Sequence, residues 1–230
     1  MVGNAAQALR KLSMARADGE LIGSEEDLVA LLGVSRPTLR QASAHLIQEN
    51  LITVRRGVGG GYFACVPDSM TVSRMASLYL KSREVGLVGL LEAIRPIRGE
   101  IAALAARNSA SGGSEALALF LRGEEDDLAA GRDASYRQFL VSDREFGRII
   151  GALSANDLLG LFLSIIYDLA SFTRREEDVY LDHPERVEAY RRRRVQMARA
   201  ILDADEEVAR IASRRCSDLI IEWMQADAEA

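Results

Sequence analysis

Apolar positions recur every three to four residues along most of the chain, which predicts a mostly α-helical protein. The exception is a pair of β-prone runs, 51–54 and 61–66, separated by a glycine-rich turn. Two such runs around a short turn predict a β-hairpin. Before the hairpin, the pattern predicts helices over 4–15, 25–32 and 36–50. Residues 16–23, between the first two helices, are predicted to form a loop.

After the hairpin, Pro67 stops the strand and begins a predicted linker over 67–70. Beyond it the 3.6-residue period predicts only helices: 71–82, 87–108, 114–130, 134–153, 156–174, 184–203 and 206–226. The predicted fold is therefore mostly α. It comprises an N-terminal winged helix-turn-helix over 1–66 with a small β-hairpin wing, then an all-α antiparallel helical bundle over 71–230.

Capping signals frame the two central helices of the first domain. Ser24 with Asp27 three residues later fits a capping box, and Gly33 suits the left-handed end of that helix. Ser35 caps the next helix, where Pro37 is tolerated because it falls in the first turn. Two helices joined by so short a turn predict a helix-turn-helix.

Hydrogen-bond donors concentrate at two places in this domain. The first turns of the second helix carry donors suited to phosphates and base edges: Ser35, Arg36, Thr38, Arg40 and Gln41. The hairpin tip carries Arg55, Arg56 and Gly57, a composition that allows close approach to a sugar-phosphate backbone. We interpret the unit as DNA-binding, because the donors converge on one helix start and one wing tip. The alternative is a winged helix used for protein contacts, with solvated arginines.

Length and charge set further bounds. The chain has 230 residues, enough for two domains with proper cores, and a net charge of −5. DNA affinity must then come from the placement of cations and from doubling in a dimer. Two cysteines outside any CxxC pattern, the lack of a signal segment and a longest apolar run of only 158–167 predict a cytoplasmic protein without a membrane span.

Some polar residues in the second domain fall on apolar stripes. Asp143 shares a stripe with phenylalanines, Arg194 with Tyr190, Arg95 lies one turn from an apolar leucine, and Cys216 sits among apolar residues. Charges are rarely buried without partners. Asp143 and Arg194 could form a structural salt bridge, or they could line a cavity for a small anionic ligand, and spacing alone does not decide between the two.

Enzyme signatures do not occur in the sequence. No histidine is placed beside a serine or cysteine nucleophile, and no phosphate-cradling loop opens a helix. The pairs Glu124–Asp127 and Glu176–Asp178 fall on polar faces, where we expect them to be solvated. In the basic run 191–194, only Arg194 is predicted to face inward. The chain is therefore predicted not to be an enzyme and to need no cofactor.

The first 66 residues resemble the GntR family of bacterial transcription regulators. The resemblance rests on Gly33-Val-Ser-Arg-Pro-Thr-Leu-Arg40, on Glu49-Asn-Leu-Ile52 and on the Gly57-rich wing. It implies that Arg36 and Arg40 read bases and phosphates, that Ser35 and Thr38 add contacts, and that Arg56-Gly57 place the wing in the minor groove. Where the family usually has Pro-Ser-Glu-Arg, this chain has Gly-Ser-Glu-Glu26, which predicts a weaker or differently arranged operator contact.

The remainder of the chain resembles the FCD effector domain of the FadR subgroup, though with less specific motifs. The similar segments are 91–95 with Glu100 and 102–106, 143–146 with Asn156, and 200–205. The resemblance implies an all-helical bundle that dimerises and binds a small organic acid. In many members an aspartate and three histidines also hold a divalent metal.

These metal positions fall on Asp143, Gly147, Arg194 and Cys216, while the only two histidines of the chain, His45 and His183, lie elsewhere. A protonated guanidinium offers no lone pair, so we predict that no metal binds. Arg194, tethered by Asp143, would instead supply the positive charge and receive an anionic effector in a forked hydrogen bond. Gly147 would leave room for a bulkier ligand.

These observations predict a homodimeric regulator that binds double-stranded DNA at a palindromic operator and responds to a ligand. The two resemblances imply that it is a repressor and that the ligand is a small organic acid. Two alternatives remain. One is a non-sensing DNA-binding protein with a degenerate pocket. The other is a helical-bundle protein or enzyme whose winged helix only recruits a partner.

Overall fold

The structure is a computed structural model, and it describes residues 2–66, 69–83, 86–170 and 178–229. The chain divides into two units, Met1–Thr71 and Val72–Ala230. Residues 67 and 68 of the predicted linker, and the last four of the predicted helix 156–174, lie outside the described residues.

The N-terminal unit contains helices α1 (Val2–Met14), α2 (Glu25–Leu32) and α3 (Arg36–Gln48). The capping box forms as predicted: the Ser24 hydroxyl accepts from the Asp27 amide at 3.2 Å, and the Asp27 carboxylate accepts from the Ser24 amide at 3.1 Å. Helix α2 ends at Gly33, whose φ of +61° is left-handed and suits a residue without a side chain. The turn between α2 and α3 is therefore encoded locally.

A three-stranded antiparallel sheet completes this unit, in the order β1-β3-β2. Strands β2 (Ile52–Arg55) and β3 (Gly61–Ala64) form the predicted hairpin, with Ile52 opposite Ala64. The prediction of a loop over 16–23 was wrong at its end, where Leu21–Gly23 forms β1 and pairs with β3. Three residues are too few to show an alternating pattern, and the strand forms because β3 has a second edge to pair.

The core of the N-terminal unit joins the helices to the hairpin. Tyr62 on β3 is buried between them. The other buried members of this cluster are Leu9, Ile22, Leu28, Leu39, Leu46, Leu51, Ile52 and Ala64. Burying this set fixes the start of α3 relative to the wing.

Helices are the only regular elements among the described residues of the C-terminal unit. Their bounds follow the predicted ones closely: α4 (Ser69–Ser82, beginning before the unit), α5 (Leu87–Ser109), α6 (Glu115–Ala129), α7 (Tyr136–Leu153), α8 (Asp157–Ala170), α9 (Pro184–Leu202) and α10 (Glu206–Glu229). Alanines of α5 at positions 102, 103, 105 and 106 are buried, which lets neighbouring helices approach closely. The predicted fold class, a small winged helix followed by a helical bundle, is confirmed.

Within the described ranges, none of these helices has both the length and the apolarity that a membrane crossing requires.

Candidate DNA-contacting surface and buried arginine cluster

The predicted DNA-contacting donors lie at the exposed start of α3. Ser35 caps the helix by accepting from the Thr38 amide at 3.3 Å, and the two hydroxyl oxygens are 2.8 Å apart. Arg36, Arg40 and Gln41 are exposed on the following turns. The helix N-terminus adds its own partial positive charge, so this surface suits an anion.

Both arginines of this surface are paired with the acidic first turn of α2. The Arg36 guanidinium donates to Glu26 at 3.0 Å, and that of Arg40 donates to both oxygens of Glu25 at 3.1–3.3 Å. The arginine side chains remain 60% and 69% exposed. Pairs this exposed contribute little stability, so phosphate can replace the carboxylates at small cost. Glu26 therefore occupies the part of the Arg36 guanidinium that a phosphate would bind.

The wing tip is shaped by one glycine that sequence reasoning did not single out. A Cβ at Gly60 would lie 2.5 Å from the carbonyl oxygen of Arg55 and 2.8 Å from that of Gly57, so no side chain fits there. The Gly60 amide donates to the Gly57 carbonyl at 2.9 Å. Arg55 stacks 4.2 Å over the ring of Phe63, whereas Arg56 is exposed. The tight turn thus presents Arg56 and Gly57 at the tip.

A second group of arginines is buried in the C-terminal unit, centred on Arg194 of α9. Its side chain is 0% exposed, and one terminal nitrogen, Nη1, donates to Asp143 at 3.2 Å. The other, Nη2, donates to Glu124 at 2.7 Å and to the Ser142 hydroxyl at 2.9 Å. Burial opposes its charge, but Asp143 and Glu124 raise the pKa of Arg194 above its ordinary value. The salt bridge considered from the sequence is present, with Glu124 as a second carboxylate.

Arg191 extends this buried network, contrary to expectation. We predicted that only Arg194 of the run 191–194 faces inward and that Glu124 is solvated, but Arg191 and Glu124 are both buried, so both predictions were wrong. The Arg191 guanidinium donates to Glu124 at 3.2 and 3.4 Å and to the Arg132 carbonyl at 3.1 Å. The packing of α6 against α9 buries this edge of both helices, a tertiary fact that the pattern within either helix does not reveal.

Arg98, not Arg95, reaches the cluster from α5. Arg95 is 45% exposed and pairs with Asp218 at 2.7 Å, so the structure does not bring this predicted ligand contact to the site. Arg98 is buried: its Nη1 donates to the Tyr190 hydroxyl at 2.5 Å, and its Nη2 lies 3.8 Å from Asp143. Within the described part of the chain, its Nε and Nη2 have no hydrogen-bond partner. The two arginines are three residues apart, so their directions differ by only about 60° around the axis of α5.

The space predicted beside Gly147 is filled. A Cβ at this position would lie 2.3 Å from the Tyr167 ring, so the tyrosine of α8 occupies the volume that a side chain would need. The expectation that Gly147 leaves room for a bulkier ligand was therefore wrong. Gly147 is needed for the close packing of α7 on α8.

The four positions aligned with a metal site do not fit a metal. The guanidinium of Arg194 bonds the one carboxylate, Asp143, and Gly147 offers no donor atom. Cys216 is fully buried, and burial raises the pKa of its thiol to about 11. One carboxylate already bonded to a guanidinium and one buried thiol supply too few donors for a metal site.

Comparisons with known proteins agree with both halves of this description. Residues 6–60 match the gntR family of bacterial regulatory proteins, and residues 90–218 match the FCD domain. The uncharacterized HTH-type transcriptional regulator Rv0494 of Mycobacterium tuberculosis is 34% identical over 147 residues, or 62% of this chain. The match spans only 56% of that protein.

A solved GntR structure from Streptococcus agalactiae is similar over the whole length. It superposes with a TM-score of 0.61, covering 99% of this chain and 100% of that one. The two sequences are 20% identical, so this likeness shows the fold alone.

Proposed function

Because the chain belongs to the gntR family of bacterial regulatory proteins and carries an FCD domain, we propose that it is a DNA-binding transcription regulator of the FadR type. Its operator affinity is modulated by a small anionic metabolite bound in the C-terminal unit. Family membership also confirms the prediction that the chain is a regulator rather than an enzyme.

The observation that carries the proposal is the exposed, capped start of α3 with Arg36 and Arg40 side by side on it. A helix start of this kind fits the major groove, and Arg56 with Gly57 at the wing tip fits the neighbouring backbone or minor groove. Two copies related by a two-fold axis match a palindromic operator, and the protein acts as a homodimer in the cytoplasm. We propose that the protein represses transcription and that the metabolite relieves this repression.

The proposed response to an anionic metabolite is based on the buried arginines of the C-terminal unit. An anion that prefers one arrangement of the dimer shifts the population of DNA-binding states. A non-sensing regulator is the second candidate, and a specific observation favours it: both terminal nitrogens of Arg194 are already engaged by the protein's own acceptors.

Gel shifts with DNA from upstream of the protein's own gene test the DNA-binding function. Arg36→Ala and Arg40→Ala should each weaken specific binding by about 1–3 kcal/mol, roughly 5- to 150-fold, because each removes a base or phosphate contact. Arg10→Ala is the control, since Arg10 lies on α1 and is likewise paired with a carboxylate, that of Glu49, with 37% of its side chain exposed. Unchanged binding in both α3 variants would refute the assignment.

A further inference from the structure

We propose that Val58, at the tip of the wing, packs against the floor of the DNA minor groove and makes the operator A·T-specific beneath the wing. Its methyl groups contact the C2–H edge of adenine, at the place where guanine carries a 2-amino group. Arg56 and Gly57 hold the tip against the backbone, whereas Val58 discriminates between base pairs. This inference rests on the proposed DNA-binding function and adds to it a residue that selects sequence.

Val58 is the most exposed large apolar residue in the described part of the chain. It is fully exposed, whereas the next in order, Met14, is 74% exposed. A Cβ placed at either neighbour, Gly57 or Gly59, would meet no atom within 4 Å, so the tip stands clear of the surrounding chain. Singly exposed apolar residues are common on protein surfaces. This one, however, stands beside Arg56 on the surface proposed to meet DNA.

The backbone around Val58 is thin, because glycine occupies positions 57, 59, 60 and 61. Gly57 and Gly59 adopt φ values of +95° and +74°, which side chains rarely allow, and Gly60 has no space for a Cβ. Val58 is not among the residues with positive φ, so the turn needs glycine around this position but not at it. A glycine backbone with one short side chain is thin enough to enter the minor groove, which is about 6 Å wide.

The chemistry of valine favours a contact with bases and sugars over one with phosphates. An isopropyl group has no hydrogen-bond donor, so it gains nothing from a phosphate and gains free energy only by leaving water. The walls of the minor groove are deoxyribose carbons, and at A·T the floor carries the apolar C2–H of adenine. At G·C the floor carries the 2-amino donor of guanine instead. Valine covers this donor without offering an acceptor, which should lower affinity about fivefold or more.

The two arginines of the wing differ from Val58 in what they can recognise. Arg55 lies 4.2 Å over the ring of Phe63, within the sheet. Arg56 is exposed. A guanidinium prefers A·T-rich minor grooves through their negative potential, an attraction that salt screens. An apolar contact of Val58 is not screened, so the two causes of an A·T preference differ in their salt dependence.

Base analogues test the proposal, because they change one groove at a time. Upstream DNA that the full-length wild type shifts is footprinted, and each base pair of the protected half-site is then replaced in synthetic duplexes. Inosine·cytosine has the major groove of G·C but lacks the 2-amino group, whereas 2,6-diaminopurine·thymine is A·T with this group added. Beneath the wing, inosine·cytosine should bind as A·T does, and G·C and diaminopurine·thymine should bind about fivefold more weakly or worse. At the pairs that α3 reads, inosine·cytosine should instead behave as G·C.

Two results with these duplexes would overturn the proposal. One is that no base pair of the half-site responds to the 2-amino group. The other is that replacing thymine by uracil, which removes only the major-groove methyl group, weakens binding at the same pairs as the 2-amino group does. Val58 would then lie in the major groove.

Variants assign the discrimination to Val58. Val58→Thr keeps the shape of the side chain and adds a hydroxyl that accepts from the 2-amino group, so the ratio of A·T to G·C affinity should fall to about twofold or less. Val66→Thr is the matched control, since Val66 is an exposed valine beyond the end of β3, and it should keep the wild-type ratio. Arg56→Ala should weaken binding to all duplexes and leave the ratio unchanged at about 50 and 200 mM salt. A wild-type ratio in Val58→Thr, or a lost ratio in either of the other two variants, would contradict the assignment.

The same gel shifts separate this inference from the proposed function. If the wild type shifts the upstream DNA and Arg36→Ala weakens the shift, but the 2-amino group has no effect at any base pair, only the inference fails. If the wild type shifts no duplex even at low salt, the proposed function fails and the inference fails with it.

Discussion

The protein uses the same pairing, arginine with carboxylate, in two opposite environments. At the start of α3, Arg36 and Arg40 meet Glu26 and Glu25 in solvent, with the arginine side chains more than half exposed. In the C-terminal unit, Arg194 meets Glu124 and Asp143 with no exposure at all. Distances in the two places are alike, about 3 Å, so geometry alone does not tell them apart.

Burial makes the difference. A solvated pair gains little from its Coulomb attraction and can exchange its carboxylate for a phosphate. A buried pair cannot be opened without leaving an unpaired charge away from water. The α3 arginines are therefore available to DNA, whereas Arg194 is committed to the fold. Arg98 differs from both, since it is buried and its Nε and Nη2 have no hydrogen-bond partner among the described residues.

The largest effect is expected from a variant that breaks the buried pair. Arg194→Met should lower the free energy of unfolding by about 3–5 kcal/mol, because Glu124 and Asp143 lose their shared partner. Urea denaturation measures it. Arg199→Met is the matched control on the same helix: its pair with Glu125 is exposed, and the change should cost less than about 1 kcal/mol. An equal loss of unfolding free energy in the two variants would contradict the difference between the buried and the exposed pair.

The second largest effect is a loss of folding stability at alkaline pH. Burial raises the pKa of the Cys216 thiol from 9.0 to about 11, so the folded state holds this proton more tightly than the unfolded chain. The resulting stability is complete below about pH 9 and is lost as pH rises towards 11, a loss of up to roughly 3 kcal/mol. Burial also raises the pKa values of Tyr167 and Tyr190, which act in the same direction.

Urea denaturation at about pH 8 and pH 10.5 checks this, with Cys216→Ala and Cys65→Ala compared. The first variant should lose part of the pH dependence, and the second should keep all of it. A wild-type protein equally stable at both pH values would contradict the burial argument.

The smallest effect concerns the exposed pairs. Glu26→Gln should raise the affinity for DNA of arbitrary sequence by roughly two- to fivefold at low salt, because it removes a carboxylate that competes with phosphate for Arg36. Fluorescence anisotropy measures the change. Glu49→Gln, which frees Arg10 instead, is the control and should have no effect. Weaker operator binding in Glu26→Gln would mean that Glu26 positions Arg36 rather than competes for it.

Helix caps and hydrophobic periodicity, which act over a few residues, predicted most of the fold. Ser24, Asp27 and Gly33 set the ends of α2 by contacts within a few residues, so sequence alone places the turn before α3. The helix bounds of the C-terminal unit follow from periodicity for the same reason. Strand β1 was not predicted because it depends on pairing with β3, a segment distant in the sequence.

The buried cluster could be predicted only in part. Asp143 and Arg194 stand out because charges on an apolar stripe need partners, and they are indeed paired. The sequence pattern favours Arg95 over Arg98, although the two lie on the same side of α5, because periodicity does not resolve a difference of about 60° around the helix axis. Glu124 and Arg191 gave no signal, since each lies on a face that looks polar within its own helix.

By itself the sequence determined the two-part, mostly helical architecture and the exposed cations at the start of α3, because caps, turns and periodicity act over one or two helical turns. Only the tertiary structure decided which charges are buried and which carboxylates pair with them. Those outcomes depend on which helix faces meet, and residues far apart in the chain fix them together.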